Sequence, residues 1–145
     1  MKVLCRLCLG GQLPECHNGS WYDLKCAEHI IYKAGMYLQI PLGVAMKLPE
    51  GMEGWLLPRS STFKKTGLLI ANGMGIIDPS YCGDGDEWKL CAYATRDGEI
   101  NQGDRICQFR IMSAMNEPIE FIECDTLGTD DRGGIGSTGG YSAAS

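Results

Sequence analysis

An aspartate ends the apolar run Gly75-Ile-Ile77 and is followed by Pro79, Ser80 and Tyr81, so Asp78 leaves an extended segment just where a turn begins. A carboxylate there is free to face a ligand, although Asp before Pro is equally the residue that starts an ordinary turn. Further on, Arg132 precedes Gly133, Gly134, Gly136, Ser137, Thr138 and Gly139. A guanidinium fork, two hydroxyls and many unhindered backbone N–H groups suit a polyphosphate. The N-terminal part carries a different chemistry. Cys5-x2-Cys8 and Cys26-x2-His29, with Cys16 and His17 between them, have the spacing of a Cys3His zinc site. The alternative, taken as the better reading, is that these are reduced thiols packed as small apolar groups.

Short strands must position such groups. Between Ile30 and Met115 apolar runs alternate with turn signals (MYLQIPLGVAMKL, then PEGMEG, then WLLP), and no amphipathic stretch lasts three helical turns. That pattern predicts an all-β domain with strands over 2–8, 22–26, 28–33, 36–40, 43–47, 53–57, 68–70, 74–77, 88–95, 106–112 and 119–124, and a short helical turn over 61–66. Pro41, Pro49, Pro58, Pro79 and Pro118 each remove one backbone donor and so mark strand ends, edges or bulges. After Cys124 the chain turns to Gly, Ser and Thr with little to bury. Residues 1–125 are therefore expected to form the β domain and 126–145 a flexible C-terminal segment.

With 145 residues there is room for one domain, and 44% apolar with 21% charged residues is a globular composition. Thirteen Lys and Arg against 18 Asp and Glu leave a net charge of −5, which disfavours nucleic acid as a partner while leaving room for a small phosphorylated ligand. Arg6 interrupts the apolar start, and no later run approaches the ~18 apolar residues of a membrane span. The sequence thus reads as cytoplasmic, with no membrane partner and its eight cysteines reduced.

Five blocks, in order and suitably spaced, resemble the five motifs of the trimeric deoxyuridine triphosphatases (dUTPases), above all those of Gram-positive bacteria and their phages. They are Gly19-Ser-Trp-Tyr-Asp-Leu24, Pro58-Arg-Ser-Ser61, Gly75-Ile-Ile-Asp-Pro-Ser-Tyr-Cys-Gly83, Gly103-Asp-Arg-Ile-Cys-Gln108 and Asp131-Arg-Gly-Gly-Ile-Gly-Ser-Thr-Gly139. The resemblance implies a jelly-roll subunit and a homotrimer with shared active sites, hydrolysing dUTP to dUMP and pyrophosphate with Mg2+. Such an enzyme clears dUTP and supplies dUMP.

By the same resemblance, Asp78 is the general base that activates the water attacking the α-phosphorus. The segment from Asn72 through Gly75 to Tyr81 is the β-hairpin that reads uracil's edge, with Tyr81 beneath the deoxyribose. Arg59, Ser60 and Ser61 hold phosphate oxygens around the scissile bond. Gln108 donates to a phosphate, whereas Arg105 is as readily a structural ion-pairing residue. Asp23 helps hold the water shell of magnesium. Arg132, Gly136, Ser137 and Thr138 belong to a lid supplied by another subunit.

The chain departs from the common pattern in carrying Ile135 where many relatives place a Phe that stacks on uracil. Trp88 is either a core residue or an aromatic surface nearby. Two other functions fit parts of the pattern. A deoxycytidine triphosphate deaminase of the same superfold requires a glutamate on the strand after the third block. A nucleotide-gated regulatory protein would bind a host partner if the chain is phage-encoded.

Overall fold

The computed structural model describes residues 1–115, 117–140 and 142. Positions 141 and 143–145 of the expected C-terminal segment lie outside the described residues.

Strand alternation builds the core. In Lys89–Ala94 (β9), Leu90, Ala92 and Ala94 are buried while Lys89 and Tyr93 face outward. The same period of two shows in Tyr37–Pro41 (β4) and Met52–Pro58 (β6), and the other strands are Leu4–Leu7 (β1), Tyr22–Lys25 (β2), Ile30–Tyr32 (β3), Val44–Lys47 (β5), Leu68–Ile70 (β7), Gly75–Ile77 (β8), Gly98–Ile100 (β10) and Arg105–Ser113 (β11). A single helical turn, Thr62–Thr66 (α1), lies between β6 and β7 and ends on Gly67 in a left-handed conformation.

These strands form a four-stranded sheet in the order β2-β11-β6-β8, a three-stranded sheet β4-β9-β7, and the two-stranded ribbons β1-β5 and β10-β3. Every pairing is antiparallel. The all-β expectation therefore holds, and the arrangement is that of a jelly roll. Between the sheets lie Leu24, Ile40, Leu56, Trp88, Leu90, Ile106 and Phe109. Trp88 is fully buried, edge-on to Phe109 with ring centroids 5.2 Å apart. It fits because position 54 is glycine: a Cβ there would stand 2.7 Å from the indole. Trp88 is thus a core residue, and its alternative as an aromatic surface near the ligand is excluded.

Three expectations need correction. Residues 119–124 form no strand: among the described residues none pairs with them, and their side chains are exposed. Strand β10 goes unpredicted: Gly98–Ile100 is too short to carry a pattern and exists by pairing with β3. Finally, the hairpin expected over Asn72–Tyr81 holds one strand, β8. β7 pairs with β9 and β8 with β6, so the turn at Asn72–Met74 carries the chain from one sheet to the other.

Candidate active site

A β-bulge in β11 arranges the first group of candidate residues. The register with β2 slips between Arg105 and Cys107, so Ile106 and Cys107 both turn inward and Gln108 emerges on the outer face. There it stands opposite Asp23 on one side and Leu57 on the other. Its Nε2 donates to the Pro58 carbonyl at 3.0 Å, at the start of the Arg59-Ser60-Ser61 loop.

Asp23 is almost enclosed. Its Oδ1 accepts Arg59 Nε at 3.1 Å and its Oδ2 lies 3.7 Å from Arg105 Nη1. Arg59 is held in turn, its Nη1 donating to the Arg105 carbonyl at 3.0 Å. Two guanidiniums against one carboxylate leave a net positive charge at this end of the sheet, and it faces solvent through the partly exposed Arg105. An oxygen-rich anion is the ligand such a surface attracts. The serine hydroxyls of Ser60 and Ser61 have no hydrogen-bond partner among the described residues.

Thr62 is the residue that the sequence reading missed. It is buried, its Oγ1 accepting the Arg59 N–H at 2.9 Å and donating to the Ile106 carbonyl at 2.9 Å. It thereby ties the Arg59 loop to β11. Its place after Ser60-Ser61 was the one available signal, and a threonine in a turn is too common to stand out.

The second group lies past the end of β8. Asp78 is exposed, and Ser80 gives it two donors, the backbone N–H at 2.8 Å and the hydroxyl, both on Oδ2. These bonds favour the carboxylate and hold its pKa below the ordinary value. Oδ1 carries no partner among the described residues. Tyr81 is 38% exposed, its hydroxyl donating to the Glu87 carbonyl at 2.8 Å. Asn72 is exposed in the turn between β7 and β8, and Gly75 is the buried first residue of β8.

The two groups stand far apart in one chain. β2 and β8 are opposite edges of the four-stranded sheet, three interstrand spacings or about 14 Å apart. The register adds more. Asp23 is level with Leu57, while Ile77 pairs with Gly54, which sets Asp78 near Glu53 and a further ~13 Å along the strands. The third group, Arg132 with Gly136, Ser137 and Thr138, makes no hydrogen bond or ion pair with either among the described residues. Residues 117–140 are exposed throughout, with short internal turns from the Ser137 N–H to the Gly134 carbonyl and from the Gly139 N–H to the Gly136 carbonyl.

An apolar groove of about 470 Å3 opens between the N-terminal segment and β2-β11; Cys5 of the zinc spacing lines it, but no residue of the three groups does. Among the described residues no three His, Cys, Asp or Glu side chains converge as a metal-binding group. Two members of the zinc spacing have other partners: Cys26 Sγ donates to the Glu28 carbonyl, and His29 meets Glu99 at 2.8 Å.

Comparison with known proteins places this geometry. The dUTPase family model matches residues 15–139. The chain is 52% identical over 128 residues to the SPbeta prophage-derived deoxyuridine 5'-triphosphate nucleotidohydrolase YosS of Bacillus subtilis, covering 88% of this chain and 89% of that protein. The crystal structure of a dUTPase from Streptococcus mutans superposes with a TM-score of 0.71 at 25% identity, covering 79% of this chain and 98% of the other. A mutant dUTPase from phage phi11 of S. aureus, solved with the coordination of a structural Mg(II) ion, superposes with a TM-score of 0.74. It is 22% identical and covers 86% of this chain and 99% of its own, a likeness of fold.

Proposed function

The chain belongs to the dUTPase family, and from that premise we propose that it cleaves dUTP to dUMP and pyrophosphate at sites that several copies of the chain build together, as a homotrimer. The separation of Asp78 from Asp23, Arg59 and Gln108 across the sheet carries this reading. A nucleotide cannot touch both groups in one chain, whereas a second copy can bring its own β8 end against the first copy's β2-β11 edge. The exposed segment bearing Arg132, Gly136, Ser137 and Thr138 is the lid that closes the assembled site.

Asp78 is the general base. Ser80 occupies Oδ2 with both its donors, which leaves Oδ1 to take a proton from the attacking water. Its lowered pKa keeps it ionised at neutral pH. As the water oxygen bonds to the α-phosphorus, the bond to the bridging oxygen breaks and pyrophosphate leaves. Arg59, Ser60, Ser61 and Gln108 supply donors to the phosphate oxygens, at an end of the sheet already net positive. Tyr81 lies under the deoxyribose. The backbone from Asn72 to Gly75 faces the uracil edge, where cytosine's amino group would meet a donor and be rejected.

Magnesium fits this donor set only as an outer neighbour. Asp23 is a single carboxylate already held by two arginines, so it would hold the ion through water, which suits Mg2+ because that ion keeps several waters and needs few direct protein ligands. When bound, the ion neutralises and orients the triphosphate. The deaminase alternative finds no support, since β9, the strand after Asp78, carries no glutamate.

Pyrophosphate release measured across the deoxynucleoside triphosphates tests the function. Only dUTP should turn over efficiently; comparable hydrolysis of dTTP, or ammonia release from dCTP, would overturn the reading.

A further inference from the structure

The loop between Tyr81 and β9 closes back on itself. Gly83 and Asp86 exchange bonds, the Gly83 N–H to Asp86 Oδ2 at 2.9 Å and the Asp86 N–H to the Gly83 carbonyl at 3.0 Å. Arg6 Nη1 reaches the Asp84 carbonyl at 3.3 Å. At the loop's end two bonds meet on one residue. The Glu87 carbonyl accepts the Tyr81 hydroxyl at 2.8 Å, and its carboxylate Oε2 accepts the Gly43 N–H at 2.9 Å.

Gly43 has a φ of +70°, which favours glycine, and it lies so close to Gly11 that a Cβ would stand 2.3 Å from the Gly11 Cα. The donor that Glu87 grips is therefore fixed by the backbone. The next residue is fixed as well: Trp88 is fully buried, its N–H on the Val44 carbonyl at 2.8 Å and its carbonyl on the Leu42 N–H at 3.0 Å.

We propose that Glu87 is a positioning residue, its carboxylate locked to Gly43 and its carbonyl holding the Tyr81 hydroxyl, so that the tyrosine ring is set before the sugar arrives. This rests on the reading of Tyr81 as the surface beneath the deoxyribose. A half-exposed tyrosine on a loop otherwise samples several rotamers, and a ring that yields makes room for a 2′-hydroxyl. Selectivity for the deoxy sugar thus depends on a glutamate whose side chain is bonded to the Gly43 backbone rather than to Tyr81.

The experiment compares kcat/KM for dUTP with kcat/KM for UTP in the full-length protein. Glu87→Ala should lower that ratio about tenfold, the order expected when a positioned group shifts by a fraction of an ångström. The loss should appear as improved use of UTP as well as poorer use of dUTP. Glu87→Gln should keep the ratio, since its amide oxygen still accepts the Gly43 N–H. Tyr81→Phe, which removes the same bond from the other side and leaves the Gly43 anchor intact, should fall by a similar factor, with no further loss in the double variant. An unchanged ratio in Glu87→Ala and Tyr81→Phe, with Tyr81→Ala losing selectivity, would overturn the role of Glu87 alone. If Tyr81→Ala also keeps the ratio, the reading of Tyr81 falls and this proposal with it.

Discussion

Arg59 and Asp23 meet at 3.1 Å across the boundary between the β6 loop and β2, and the carboxylate is only 10% exposed. Removing one partner strands the other's charge, a larger loss than the pair's net contribution. Asp23→Ala should lower stability by about 1–3 kcal/mol, below the cost at a fully buried pair because Arg59 and Arg105 keep solvent access. It should also raise the magnesium concentration needed for half-maximal turnover. Denaturation midpoints at fixed protein concentration and a metal titration check both.

Asp78→Asn should leave the assembly intact, because the side chain is exposed and, among the described residues, bonds only to Ser80. It should lower kcat by at least about 10²-fold, since an amide of equal size cannot accept the proton. Steady-state kinetics beside size-exclusion chromatography separates this from a turn residue, for which kcat would stay near normal.

The same contacts set a pH dependence. Ser80 donates twice to Asp78 and pulls its pKa down, so Ser80→Ala must let it rise. A base with a raised pKa loses its ionised form at higher pH. The acid limb of kcat/KM should therefore move to higher pH in this variant while the alkaline limb stays, and a pH profile over the acid range measures it.

The strand pattern was legible because alternation is local: β4, β6 and β9 announce their inward faces residue by residue. What a strand pairs with is not local. Asn72–Tyr81 reads as a hairpin in sequence, yet it holds one strand, β8, whose partner β6 is set by packing. The apolar residues Ile119, Phe121 and Ile122 read as a strand, but a strand needs a neighbour, and the described residues supply none. The motif residues stood out as blocks. That Asp23 would be enclosed by two arginines, and lie an entire sheet away from Asp78, followed only from topology and from the bulge at Arg105–Cys107.

Because Asp78 and the Arg132 segment are assigned to different copies of the chain, two dead variants should repair one another. Asp78→Asn abolishes the base, and deletion of residues 129–145 removes Arg132 and its glycine run while taking almost no core, since residues 117–140 are exposed. The deletion should leave body stability little changed and turnover crippled, because water exclusion and phosphate positioning depend on closure. Co-expressed with distinguishable tags and purified as mixed assemblies, the two variants combine a sound Asp78 from the truncated chain with a sound tail from the other. Activity well above either parent is the expected outcome. If the mixed assemblies show only the sum of the parents, base and lid act within one copy, and the assignment of Asp78 and the Arg132 segment to different copies is wrong.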